Sequence, residues 1–145
     1  MDTYNDPEIR EVIFVKPSQV GGTSAIENII GKIIHHEPAP TMLIYPDDVA
    51  GKSISQNKFQ PMFRSTPALL ERWNENKSLT LEQRLTGMTL YFTGTQTAQK
   101  VASKSIRNPF LDELDTIPNK LTGYGDVLAP AADRLKSYSG RSKIC

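Results

Sequence analysis

The chain has 145 residues, with 17 Lys+Arg against 16 Asp+Glu and a single cysteine, Cys145, at the last position. That length suits one domain around one core, and the near-neutral balance excludes a domain that holds polyanions by bulk charge, so any DNA contact must be local. One cysteine excludes an internal disulfide and any cysteine-only metal cluster, and with no signal peptide and no apolar run near the ~20 residues of a membrane span the chain reads as soluble, cytosolic and without a membrane partner.

Glu11 to Val15 is a short apolar, β-branched run that reads as a buried strand. It leads into Lys16-Pro17-Ser18-Gln19-Val20-Gly21-Gly22-Thr23-Ser24, a glycine-bearing turn ahead of a helix. In the Walker A pattern, G-x-x-x-x-G-K-[ST], backbone N–H groups cradle phosphates, the lysine reaches the β/γ-phosphates and the hydroxyl binds Mg2+. Gly21 and Thr23 fit that pattern. Gly22 takes the usual lysine position and Lys16 stands where the first glycine would be, so the positive charge enters from the opposite end of the loop.

Thr23 to His35 carries Ile26, Ile29, Ile30, Ile33 and Ile34 at helical spacing, an apolar stripe suited to packing on a sheet. Glu37-Pro-Ala-Pro ends it. Thr41 to Tyr45 is a second strand, closed by Pro46, and Asp47 to Lys58 is the next helix, with an acidic start that suits its dipole. Pro61 to Trp73 reads as an irregular connection with a short helix opened by Ser65-Thr66-Pro67, and Ser78 to Leu81 and Met88 to Thr93 read as strands. The second of these enters the turn Gly94-Thr95-Gln96; Thr97 to Lys104 follows as a helix, then a very short strand, Phe110-Leu111, ending at Asp112, and finally a helix around Asp126 to Tyr138. Strands alternating with helices predict an α/β fold with a largely parallel sheet.

Asp112-Glu113 behind two apolar residues matches the Walker B arrangement, in which the first acid holds Mg2+ through water and the second polarises the attacking water. Asp-Glu alone is common by chance. It gains specificity from its place roughly 90 residues after a strand–loop–helix, because both loops would then meet at the carboxyl ends of parallel strands, where such sheets bind ligands.

These motifs and the spacer between them resemble the large terminase subunit of tailed bacteriophages, in particular its GpA-type ATPase domain, over nearly the whole chain. The residues that carry the resemblance are Asp6-Pro7, Lys16 to Thr23, Ile44-Tyr-Pro46-Asp, Gln60-Pro61-Met and Ser65-Thr-Pro67-Ala-Leu. Thr93-Gly94-Thr, Ser103 with Arg107, Phe110 to Asp115, Gly125-Asp126 and Asp133-Arg134 continue it. It implies a P-loop NTPase of three-layer α/β/α form with a mainly parallel sheet, incomplete at both ends. It implies that Lys16 serves the phosphates from the start of the loop, that Lys16 to Ser24 wrap ATP, and that Thr23 and Asp112 hold Mg2+. Glu113 would be the catalytic carboxylate and Arg134 a charge-stabilising arginine near the γ-phosphate. Many members place a lysine just before the threonine, and Gly22 departs from that form.

At the level of the whole protein, the resemblance implies a motor in the host cytoplasm that couples ATP hydrolysis to packaging double-stranded DNA into a procapsid. Its partners would be the small terminase subunit, the portal protein and further copies of itself in the motor. Complete members carry a second, nuclease domain, which these residues do not supply, so the chain is expected to be an internal piece of such an ATPase domain. Two other readings stay open: a helicase- or translocase-type P-loop ATPase, and a fragment that binds nucleotide without hydrolysing it. Asp115 reads as a turn cap before Pro118, and His35-His36 as cations at a helix end rather than metal ligands. Trp73 and the Ile stripe read as core. Arg134 also reads as a helix-surface arginine, and Arg64, Arg72 and Lys77 either touch DNA phosphates or form a solvated surface.

Overall fold

In a computed structural model the described residues are Val12, 22–95 and 105–112. The predicted strand at Glu11 to Val15, apart from Val12, and the helices at Thr97 to Lys104 and Asp126 to Tyr138 lie outside them.

The first described helix, α1, runs from Gly22 to His36 and buries Ile29, Ile30, Ile33 and Ile34 on one face. His35 and His36 sit in its last turn, where positive character suits the dipole, and Pro38 two residues on prevents its continuation. Strand β1, Thr41–Tyr45, is buried at all five positions. It is central: β3 (Met88–Gly94) pairs with it in parallel from Thr41↔Leu90 to Tyr45↔Gly94, and β4 (Asn108–Leu111) pairs with it in parallel on the other side from Thr41↔Asn108 to Ile44↔Leu111. β2 (Glu82–Leu85) is antiparallel to β3, giving the order β2-β3-β1-β4. The two-residue turn between β2 and β3 places Gly87 at φ 80, a conformation that costs glycine nothing and other residues a Cβ clash. The α/β class and the mainly parallel sheet follow the sequence expectation.

Proline inside β4 is accommodated by register. Asn108 and Asp112 direct their N–H groups at Pro40 O and Ile44 O on the β1 side, at 3.3 and 3.2 Å. Alternation along a strand then turns the missing N–H of Pro109 away from β1, where this ladder loses nothing.

Three sequence boundaries are corrected. The helix expected over Asp47 to Lys58 is an α-helix, α2, only over Asp48–Ile54, after which Ser55–Phe59 forms a π turn. The stretch read as irregular from Pro61 is instead helix α3, Gln60–Ser65, while the short helix expected at Ser65-Thr66-Pro67 is present as α4, Pro67–Leu70. The physical reason is Pro61, which lacks the N–H an α-helix needs to bond one turn back; the wider turn before it, closed by Gln60 N–H onto Ser55 O, lets the helical path continue. Thr66 is extended ahead of Pro67, as a residue before proline prefers. The strand placed at Ser78 to Leu81 lies four residues later, at Glu82–Leu85, and of the predicted span only Leu79 makes an isolated bridge. The reason is Gln83. Fully buried, it has a polar side chain on the inward face, which disguises β2 as a loop in the sequence; its Oε1 accepts from Trp73 Nε1 at 2.9 Å and its Nε2 donates to Leu79 O at 2.8 Å and Ser55 Oγ at 3.2 Å.

The side chains of alternate strand residues define two apolar layers. Leu43, Tyr45, Leu90, Phe92 and Phe110 face α1 and the α2–α4 segment, in a cluster with the four buried isoleucines, Phe59, Phe63, Leu69 and Trp73. Met42 and Ile44 point to the opposite face, where Ile106 packs with them and Tyr91 and Leu111 flank. Phe59 is the keystone of the first layer: it is fully buried and meets Phe92 edge-on at 5.1 Å and Phe63 at 6.1 Å. Phe59→Ala is expected to lower stability by about 3–5 kcal/mol, read as a shift of the urea midpoint. An unchanged midpoint would show that the π turn is not anchored by this ring.

Candidate functional site

Among the described residues the three parallel strands end on one side of the sheet, at Tyr45, Gly94 and Leu111, and α1 begins there. This carboxyl edge is where open α/β sheets receive ligands. Asp112 is the residue after β4. Its N–H continues the ladder onto Ile44 O, and its side chain leaves it only 6% exposed. Thr23, in the first turn of α1, donates its hydroxyl to Asp112 Oδ2 at 2.9 Å. These partners are 89 residues apart in the chain.

Of the predicted site, the structure therefore brings together Thr23 and Asp112, with Gly22 buried at the start of the same helix. Ser24, its neighbour in that turn, is exposed. Lys16, Pro17, Ser18, Gln19, Val20, Gly21, Glu113 and Arg134 lie outside the described residues. The first turn of α1 carries no acidic side chain of its own, and the carboxylate that meets it among the described residues is that of Asp112.

The donor set suits a hard divalent cation. A hydroxyl and a carboxylate are oxygen ligands, and Mg2+ is commonly held by one or two protein groups while water and phosphate oxygens complete its shell. Among the described residues no group of three or more His, Cys, Asp and Glu could enclose a metal, which a shell shared with substrate does not require. His35 and His36 stack edge-on at the far end of α1, away from this edge.

A second set of contacts at the same edge was not foreseen. The β1–α2 loop and the end of β3 are latched together: Gly94 N–H donates to Asp48 Oδ1 at 2.6 Å, Thr95 N–H to Tyr45 O at 3.1 Å, and Thr95 Oγ1 to Pro46 O at 3.0 Å. Asp47 caps α2 by accepting from Ala50 N–H at 2.7 Å. Gly94 is required by contact: a Cβ there would stand 2.6 Å from both Asp47 C and Asp48 N, closer than any side chain can pack. A hint lay in the sequence, since glycine directly after an apolar strand marks close backbone approach. Its partner could not be read from spacing, because Asp48 lies 46 residues away.

Gly94→Ala must push the Asp47-Asp48 backbone away from β3. A loss of about 1–3 kcal/mol is expected by overpacking, measured by chemical denaturation, with Asp48→Asn losing less because the amide oxygen still accepts from Gly94 N–H. Equal stability of Gly94→Ala and the unchanged chain would refute the close approach.

No curated protein matches the chain. The model of the family described as phage terminase large subunit gpA, ATPase domain, matches residues 1–145. That match includes both Thr23 and Asp112. The chain belongs to the phage terminase large subunit gpA ATPase-domain family.

Proposed function

We propose that residues 1–145 form a P-loop ATPase domain of three-layer α/β/α form that drives double-stranded DNA into a procapsid. The observation that carries the reading is the hydrogen bond from Thr23 to Asp112 at the carboxyl edge of the sheet, in a chain of a terminase ATPase family. The hydroxyl-bearing residue of the one motif and the first acid of the other are in contact, as a shared cation site demands. Apolar layers on both faces of the sheet support the three-layer form.

In this reading the segment from Lys16 to Ser24 wraps the phosphates of ATP, with Lys16 placing its ammonium against them from the start of the loop. Thr23 and Asp112 would hold Mg2+. When bound, the ion would neutralise phosphate charge. Glu113 orients a water for attack on the γ-phosphorus and accepts its proton; the bond from that phosphorus to the β-bridging oxygen breaks, and ADP and phosphate leave. Arg134 stabilises charge on the transferring group. Because phosphoryl transfer is catalysed chiefly by positioning and charge stabilisation, these few groups account for the chemistry. Gly22 leaves Lys16 as the lysine of the loop, so more depends on that side chain than in a loop with two.

The role in packaging, the double-stranded DNA, the small terminase subunit, the portal protein, assembly of further copies into a motor and a place in the host cytoplasm belong to the same proposal. Among the described residues no helix is long and apolar enough to cross a membrane. The family's nuclease activity is assigned to none of these residues.

Magnesium-dependent ATP turnover by the chain tests the reading. Lys16→Ala, Glu113→Gln and Asp112→Asn are each expected to lower kcat by about 100-fold or more. Thr23→Ser, which keeps the hydroxyl, is expected to retain most activity, and Thr23→Val to lose it. Turnover unchanged in both Lys16→Ala and Glu113→Gln would sink the proposal. Tight binding of a labelled ATP analogue without turnover in the unchanged chain would favour instead a nucleotide-binding piece that does not hydrolyse.

A further inference from the structure

At the opposite end of the sheet lies a groove of about 480 Å³, open to solvent. It is walled by Asn74, Lys77, Arg84, Thr86 and Thr89, with the buried Met88 at its floor. It sits where β1 and β3 begin, whereas Thr23 and Asp112 sit where they end. A five-residue strand puts about 15 Å between the two.

The charges around this groove are unevenly satisfied. Arg84 is tied to Glu82 at 2.7 Å, and Glu75 is tied to Arg64, which also lies over the Trp73 ring at 5.2 Å. The carboxylates on the two elements that flank the groove are thus already neutralised. Lys77 is exposed and, among the described residues, in no ion pair. Among the described residues no carboxylate lines the groove, and around Lys77 stand side chains able to donate hydrogen bonds: the Arg84 guanidinium, the Asn74 amide and the hydroxyls of Thr86 and Thr89. The wall that carries them is stiff. Asn74 Oδ1 accepts from the Lys77 N–H at 3.3 Å and Asn74 N–H donates to Arg84 O at 2.9 Å, so the lysine's turn is stitched to β2. Thr86 N–H donates to Arg72 O at 2.7 Å, fixing the hairpin tip.

We propose that this groove seats the phosphodiester backbone of double-stranded DNA, with Lys77 as its principal cation; the proposal rests on the packaging reading above, which supplies the polyanion. One unpaired lysine with hydroxyl and amide donors fits a phosphate contact that positions a duplex without reading its sequence. A chain with net charge +1 gains little from its overall field, so its grip on DNA depends on local sites of this kind. The openness of the groove fits a rod passing over the surface better than an enclosed small molecule.

The test is binding of a fluorescent duplex by the chain at several salt concentrations, with ATP turnover measured separately in the absence of DNA. Lys77→Ala should weaken binding and reduce the magnitude of the salt slope by about one, the signature of one lost phosphate contact, while Lys77→Arg restores both and turnover without DNA stays unchanged in each. An unaltered slope and affinity in Lys77→Ala overturns the groove as the seat of DNA, as does a failure of the unchanged chain to bind the duplex. Displacement of the duplex by polyglutamate at equal charge also overturns it, in favour of an acidic protein partner. Duplex binding that depends on Lys77 in a chain without ATP turnover would support the groove and overturn the ATPase reading alone.

Discussion

The structure depends on one strand. β1 is hydrogen-bonded in parallel along both edges and covered on both faces, so its five residues fix where β3 and β4 run, where they stop, and which side chains reach each layer. Because all three strands point the same way, their carboxyl ends form one edge, and a helix descending antiparallel to them must begin at that edge. The proximity of Thr23 to Asp112 is a consequence of this register, and their hydrogen bond ties the entry of α1 to the exit of β4. Loss of the β1 pairing would disperse the site, although β1 itself contributes no side chain to it.

The edge is held rigid by backbone as much as by side chains. Asp112 N–H on Ile44 O and Thr95 N–H on Tyr45 O extend the two ladders beyond the strands, and the Gly94–Asp48 contact brings the start of α2 against the end of β3. A carboxylate expected to share a cation has to be held still, since a small displacement of a positioned group costs far more in rate than in stability. Asp112 meets that condition through its buried position and its ladder hydrogen bond.

The features legible in the sequence were those with a local cause. The Ile stripe announced α1, the uninterrupted apolar run announced β1, and the Pro-broken segments announced the ends of both, because periodicity and proline act within a few residues. The pairing of Thr23 with Asp112 was also anticipated, but by matching motif to motif rather than from spacing, since no short-range pattern connects residues 89 apart. What could not be read was decided by tertiary partners. Gln83 looks like a loop residue until Trp73, Leu79 and Ser55 satisfy its amide, and the helix break expected near Pro61 is absorbed by a π turn whose Phe59 the core anchors. Gly94 was visible as a glycine, but its reason, the Asp47-Asp48 backbone 2.6 Å from where a Cβ would stand, exists only in three dimensions.

The same segment that displaced the predicted boundaries joins the two ends of the sheet. From the Asp48 latch at the carboxyl edge, α2, the π turn, α3 and α4 lie on one face of the sheet and deliver the chain to Trp73 and Asn74, beside the groove at the opposite end. Along the way Ser55 is bound by Gln83 of β2, and Arg64 lies on Trp73 and reaches Glu75, so the path is braced at its middle and at its far end. A nucleotide at one edge and a duplex at the other would thus be connected by packed helix rather than by loop. Packed elements that have two discrete arrangements are able to carry energetic coupling between distant sites. A packed network is present in this segment, and the π turn, where the helical repeat widens ahead of a proline that cannot hydrogen-bond back, is one point along it, beside the extended Thr66, where a change of helical register has a structural opening.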